Sequence, residues 1–371
     1  MANQSPARAL RRSALSIAGR LLAAMVLLPG AAGAQQAALP GPLTATASRL
    51  VGPPGSRLDP ALAAEVVSRA SRLPQLRTLI VARGGRPVIE RRFRGPGLDV
   101  PVNVKSASKT LLSALVGAAI ARGVLTGVEQ KASALLGSRV PPQADPRVRE
   151  ITIEHLLTLR AGLEATSGAN YGRFAASPDW VRFALTRPFV DEPGGAMIYS
   201  TGSSHLLGAA LTRASGESLL TLAREWLGKP LGIDVPPWPR DPQGIYFGGN
   251  DMLLSPRALL AFGELYRNGG VHRGRRVLPA AWVKASWTPR TVSPWSGFAY
   301  GYGWFIARAG RHPVYFARGY GGQMLYVVPS LALTAVMTSD PNAPGRGGHV
   351  DALHALLTDF IVPAAERAKT V

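Results

Sequence analysis

Cysteine is absent from the 371 residues. That excludes disulfides, a cysteine metal site and a cysteine nucleophile. Acidic residues are scarce, 22 against 42 Lys and Arg, which leaves a formal charge of +20. Lysine is scarcer still, with six in the chain, so almost all of the positive charge is arginine. A basic excess can serve nucleic acid, an anionic membrane surface or an acidic substrate. Here the arginines are scattered. The densest clusters are Arg91-Arg92-Phe93-Arg94 and Arg273-Gly274-Arg275-Arg276, and there is neither a zinc-finger spacing nor a long basic run. No nucleic-acid partner is therefore expected. The chain also lacks a Gly-x-Ser-x-Gly elbow, a His-Glu-x-x-His pair and a Walker phosphate loop, which removes the usual α/β-hydrolase serine, the zinc protease and the P-loop nucleotide site. The histidines do not cluster at ligand spacing, so no metal is expected. His349 and His354 read as surface residues of a last helix.

Long hydrophobic runs are missing too. The longest candidate near the N-terminus, Leu21–Leu28, is too short for a bilayer, which takes about 20 residues. It follows Arg8, Arg11, Arg12 and Arg20 and precedes Pro29-Gly30 and Ala32-Gly33-Ala34. Basic, apolar and small-residue parts in that order predict a secretory signal over 1–34, cut after Ala34. The expectation is a periplasmic or secreted protein with no stable membrane span after cleavage. Arg11-Arg12 leaves both general and twin-arginine export open. Residues 35–58, rich in Ala, Pro and Gly, read as a flexible tether, and 59–371 as one domain.

What remains is long enough for a large core. Leu62 to Leu73 has helical periodicity. Residues 77–83 and 86–93 flank Gly84-Gly85 as a β-hairpin. Helices are predicted over 106–122, 152–159, 178–186, 203–214, 217–227 and 255–268, with Thr152 as a cap. Strands return at 300–306, 313–316, 323–328 and 331–337, followed by a helix from His349 to Ile361 that stops before Pro363. Strands at both ends and helices between predict an α/β (α+β) fold. Its mainly antiparallel sheet is built from both termini, with flanking helices and a helical lobe.

Within that plan one pair stands out. In Val104-Lys105-Ser106-Ala107-Ser108-Lys109-Thr110, Ser106 and Lys109 are three residues apart at the start of an apolar helix. Residues so spaced share a face, and a serine becomes a nucleophile once a neighbour takes its proton. Two further segments accompany it. Glu192-Pro193-Gly194-Gly195 leads a short strand into Tyr199-Ser200-Thr201, at a loop-to-helix junction. Ala317-Arg318-Gly319-Tyr320-Gly321-Gly322-Gln323 puts glycines inside a strand pattern, which marks close approach of a ligand or another backbone.

Ser-x-x-Lys, then Tyr-Ser-Thr, then a glycine-rich terminal strand resembles the penicillin-recognising serine hydrolases. The β-lactamases and D-Ala-D-Ala peptidases belong there. The likeness is nearest the class C-like branch, with its esterases and 6-aminohexanoate-dimer hydrolases. It covers about residues 60 to 365, supported by segments 151–163, 192–194, 248–252 and 300–304. The resemblance implies a β-lactamase/transpeptidase-like fold and no cofactor. It implies that Ser106 is acylated, that Lys109 is its base in the neutral form, and that Tyr199 passes the proton to the leaving group. It places the oxyanion hole at the backbone N–H groups of Ser106 and Tyr320. Substrate contacts would come from Tyr171, Thr201, Gly319, Gly321 and Asn250, with Tyr171 closing over the substrate.

Two departures bear on substrate. Thr201 stands where many relatives have asparagine, and Ala317-Arg318-Gly319 stands where β-lactamases carry Lys-Thr-Gly. That strand lysine normally binds a substrate carboxylate. By alternation Arg318 points to the other face. The reading is a serine hydrolase of a small ester or linear amide, with no obligate protein partner. The rival readings are a β-lactamase or D-amino-acid peptidase, a non-catalytic receptor for peptidoglycan fragments, and a binder of anionic polymer.

Overall fold

The computed structural model describes residues 57–343 and 347–368. The expected signal 1–34 and residues 35–56 of the expected tether lie outside the described residues. Of the tether's last two residues, Leu58 is buried in the core and the Arg57 carbonyl accepts a hydrogen bond from Arg83.

The chain enters through the helix Pro60–Ser71, whose first turn is capped by the Asp59 carboxylate. A hairpin follows, β1 (Leu76–Arg83) and β2 (Arg86–Arg92), turning at Gly84-Gly85, both in the left-handed region. Far along the chain come β3 (Thr291–Val292), β4 (Ala299–Tyr300), β5 (Phe305–Ala309), β6 (His312–Gly319), β7 (Gln323–Val328) and β8 (Leu333–Ser339). Together they form one antiparallel sheet of order β2-β1-β8-β7-β6-β5-β4-β3. The β1–β8 pairing closes the sheet between the two ends of the chain, as the sequence predicts.

Strand residues alternate between two cores. Ile80, Ala82, Ala317, Leu325, Val327 and Val336 face the helical lobe, while Leu79, Val81, Phe316, Met324, Tyr326 and Met337 face the terminal helices. A sheet covered on both faces needs apolar residues at every position, which is why β7 and β8 are buried end to end.

Four predicted helices appear with trimmed ends, Ile153–Leu157, Trp180–Leu185, Leu219–Ala223 and Pro256–Arg267, while the one expected over 203–214 is extended at both ends to Thr201–Ser215. Thr152 does cap its helix, accepting from the His155 N–H while the His155 ring accepts from Thr152. Three expectations are corrected. The strand expected over 300–306 breaks between β4 and β5, because its glycines press on other backbone. A Cβ on Gly301 would lie 2.2 Å from the Ser286 carbonyl oxygen, and one on Gly303 would lie 2.8 Å from that of Lys109. The expected short strand before Tyr199 has no ladder, although the Ile198 N–H donates to Leu159. The last helix does not stop before Pro363. His349–Ala355 widens into a π-helical stretch, Leu356–Ile361, and continues as Val362–Arg367. A shift away from i→i−4 bonding tolerates the N–H that proline lacks. Among the described residues no helix is long and apolar enough to cross a membrane.

Candidate active site

The helix Ser108–Ala121 runs through the middle of the molecule, with every residue from Ser108 to Ala119 buried. Its close seat is enforced at Gly117, where a Cβ would fall 2.3 Å from the Trp282 ring. A single 3₁₀ turn, Lys105–Ala107, leads into it and presents Ser106. That turn begins with Lys105 at φ 52, a left-handed backbone for a residue with a side chain. Its N–H is taken by Asn103 Oδ1 at 2.8 Å, and its carbonyl accepts from Ser108 Oγ at 2.6 Å. Held this way, Ser106 Oγ lies 3.2 Å from Lys109 Nζ, as the three-residue spacing predicts.

Lys109 is 6% exposed. Its amine also reaches the Gly249 carbonyl at 3.0 Å and lies 5.0 Å from the centroid of the Tyr199 ring. Gly249 has φ 69, and a Cβ there would come within 2.9 Å of Lys109 Cγ. The backbone therefore closes over the lysine in a way only glycine permits. The structure brings Ser106 and Lys109, from one segment, together with Tyr199 from another.

Asn250 comes in beside them. Ser106 Oγ donates to its Oδ1 at 3.4 Å, and its Nδ2 lies 3.5 Å from the Tyr171 hydroxyl. Tyr171 is 37% exposed, yet desolvation of its phenol, aided by the Asp251 carboxylate, pushes the group up to about 12. It stays protonated through the neutral range. Two residues that the sequence reading did not single out for binding, Asp251 and Trp295, also belong here. Asp251 pairs with Lys105 at 3.3 Å. Trp295, 53% exposed, packs edge-on against Tyr199 with ring centroids 5.3 Å apart. Trp295 carries only one local signal, a large aromatic in a loop of Ser, Pro and Gly.

The terminal strand supplies the opposite wall. A Cβ on Gly319 would stand 2.2 Å from the Val104 carbonyl oxygen and 3.1 Å from Lys105 Cβ. The end of β6 therefore lies directly on the turn that carries Ser106, and Tyr320 is the next residue. Ala317, buried, faces the lobe side with Gly319, whereas Phe316 and Arg318 alternate to the other face. Two expected contacts have other neighbours. Thr201 is buried with its hydroxyl 3.0 Å from Ser167 Oγ, and Gly321, at φ 75, approaches the Asp340 carbonyl.

Behind the Gly249 carbonyl lies a fully buried His205–Asp241 pair, 3.0 Å apart. His205 Nδ1 accepts from the Gly248 N–H at 3.3 Å, and Asp241 Oδ1 accepts from the Gln243 and Ile245 N–H groups. The pair packs against Trp180, Phe174 and Phe247. It fixes the strap that carries Gly249 to Lys109. The two histidines that the sequence places on the surface, His349 and His354, are corrected. His349 is buried against Ser339 Oγ at 2.9 Å, and His354 sits among Phe298, Phe316 and Tyr326. Burial lowers the affinity of both imidazoles for a proton, in His354 to about 4.

A model of the family described as Beta-lactamase matches residues 75–360. The chain belongs to that family. It is a serine hydrolase of the β-lactamase fold. No curated protein sequence gives a significant match. Among solved structures it is similar to a protein from Bacillus anthracis described as a 6-aminohexanoate-dimer hydrolase, at 17% identity and TM-score 0.68, over 83% of this chain and 82% of the other. EstCE1, a hydrolase with promiscuous acyltransferase activity, superposes at TM-score 0.66 with 18% identity, over 82% and 98%. A D-stereospecific amidohydrolase from a Streptomyces species gives 0.60 and 18%, over 80% and 97%. At these identities the likeness speaks to fold alone.

Proposed function

We propose that this β-lactamase-family protein hydrolyses a small, uncharged ester or linear amide through an acyl-enzyme on Ser106. The observation that carries this reading is the 3.2 Å contact between the buried Lys109 amine and Ser106 Oγ. In the neutral form Lys109 takes the serine proton as Oγ bonds to the substrate carbonyl carbon. The oxyanion collects on the N–H groups of Ser106 and Tyr320. As the tetrahedral intermediate collapses, the leaving alcohol or amine departs with a proton delivered by way of Tyr199. Water then attacks the acyl carbon, and the acid leaves as Ser106 recovers its proton. No metal or organic cofactor takes part in this sequence.

Ala317 favours a neutral substrate. At the strand position that faces the site it offers a methyl group, and the neighbouring Arg318 belongs to the opposite face. A substrate carboxylate would find no cation from this strand. The aromatic rim of Tyr171, Tyr199, Trp295 and Tyr320 fits an apolar acyl or leaving group. We further propose that the chain is exported to the periplasm or beyond, on the basic, apolar and small-residue order of its first 34 residues.

A panel of p-nitrophenyl acetate and butyrate, 6-aminohexanoate dimer, D-alanyl peptides and nitrocefin tests the substrate. Short neutral esters are expected to dominate over the amide dimer, whose free end carries a carboxylate. Preferential nitrocefin or D-alanyl peptide turnover would reassign the protein to the β-lactamase or peptidase branch. Ser106→Ala should abolish hydrolysis of whichever substrate is best.

A further inference from the structure

Two residues flanking the site adopt left-handed backbone without being glycine: Lys105 at φ 52 and Asp251 at φ 56. Such conformations persist when surrounding contacts over-determine them, and they cluster at functional sites. Here the two strained residues bind each other, Lys105 Nζ to Asp251 Oδ1 at 3.3 Å, with both side chains largely buried. The same carboxylate oxygen accepts from Asn103 Nδ2 at 2.8 Å, and Asn103 Oδ1 takes the Lys105 N–H. The second oxygen of Asp251 accepts from Asn250 Nδ2 at 3.1 Å. Around this knot the two segments are stitched along the backbone. Val102–Asn103 pairs with Leu253–Leu254, the Val104 N–H reaches the Met252 carbonyl, and the Met252 N–H reaches Ser108 Oγ.

The consequence lies in proton inventory. An ionised carboxylate only accepts hydrogen bonds, so Asn250 must present its NH₂ end to Asp251. Its Oδ1 is thereby left for Ser106, 3.4 Å away. When Lys109 is an ammonium it donates to Ser106 Oγ, and the serine proton rests on Asn250 Oδ1. When the amine is neutral, its lone pair takes that same proton. Without Asp251 the amide is free to turn over and direct an N–H at Oγ, occupying the lone pair that must attack.

We propose that Asp251 is a positioning residue that fixes the Asn250 amide as the acceptor of the Ser106 hydroxyl and holds the Lys105 turn beneath the nucleophile. The proposal rests on the assignment of Ser106 as nucleophile. Asn250 touches the reacting oxygen, and Asp251 acts through it.

The test uses the full chain with p-nitrophenyl acetate. Asp251→Gly removes the carboxylate while suiting a left-handed backbone. Its kcat should fall about tenfold or more with KM changed less than about threefold, the pattern of a misaligned nucleophile. Fluorophosphonate labelling of Ser106 should slow in step. Asn250→Ala should lose a similar factor, and the double variant should be no slower than the slower single one, because the two act as a unit. Asp251→Asn keeps the shape and tolerates the same backbone. It should lose about threefold to tenfold, since one amide oxygen cannot serve both Lys105 and Asn250. Wild-type kcat in Asp251→Gly or Asp251→Asn, or multiplicative losses in the double variant, would overturn the proposal. Ser106→Ala run alongside separates the two ideas. If it is inactive while Asp251→Gly matches wild type, only the role of Asp251 fails. If it is active, the nucleophile assignment fails first.

Discussion

Lys109 has three neighbours with different demands. Ser106 Oγ needs a proton acceptor, the Gly249 carbonyl needs a donor, and the Tyr199 ring offers its π face. An amine satisfies all three because it rotates and carries both protons and a lone pair. A guanidinium never gives up its proton in a protein, so Lys109→Arg should be as inactive as Lys109→Ala. Both should lower kcat by about 10²-fold to 10⁴-fold, the usual worth of a general base, without a matching rise in KM. A raised KM alone would make Lys109 a binding residue. Tyr199→Phe separates chemistry from packing at the neighbouring position. The ring against Trp295 and over Lys109 is kept and only the hydroxyl is lost, so a fall of about 10²-fold in kcat is expected for a proton carrier. Unchanged turnover would leave Tyr199 as a wall of the pocket.

At the scale of elements, the site depends on glycine wherever one backbone lies on another. Gly319→Ala inserts a methyl 2.2 Å from the Val104 carbonyl oxygen, so either β6 or the Lys105–Ala107 turn must move. A displacement near 1 Å at a reacting centre can cost about 100-fold. We therefore expect Gly319→Ala to lose activity of that order while its far-ultraviolet circular dichroism stays native, and wild-type kcat would refute the close approach. The same scale explains what the sequence discloses. Ser106 and Lys109 are legible because helical spacing alone puts them face to face. The hairpin, the helix capped by Thr152 and the glycine-rich end of β6 are legible from turn residues and periodicity. Asp251 and Trp295 are not, because their proximity to Lys105 and Tyr199 is created by tertiary folding between residues 146 and 96 positions apart in the sequence, 251 − 105 and 295 − 199. The break between β4 and β5 is hidden for a similar reason. Nothing local says that Gly301 and Gly303 must press on other backbone.

For the whole molecule, the closed β1–β8 seam and the terminal helices bury groups that a linear reading leaves at the surface. His354 is the clearest. Its ring is enclosed by Phe298, Phe316 and Tyr326, and burial, assisted by the charge of Arg318, pushes it down to about 4 from an ordinary 6.5. The unfolded chain binds the proton more readily than the folded one. Stability from this group is therefore full above pH 6.5 and declines as pH falls toward 4, by at most about 1.4 kcal/mol per pH unit. His349 and His155, also shifted down by burial, act in the same sense. The melting temperature should drop between pH 7 and pH 5. His354→Phe, which keeps a ring in the cluster, should shrink that drop, and an undiminished drop would show that His354 is not its source.

Catalysis by this site turns on one covalent bond. Rapid quenching of the full chain with p-nitrophenyl butyrate, or labelling with a fluorophosphonate, followed by peptide mass spectrometry, reads it directly. The expected result is a single adduct on the peptide that contains Ser106, absent in Ser106→Ala and slow to form in Lys109→Ala. An adduct on a different residue, or undiminished turnover in Ser106→Ala, would contradict the assignment of the nucleophile and the mechanism built on it.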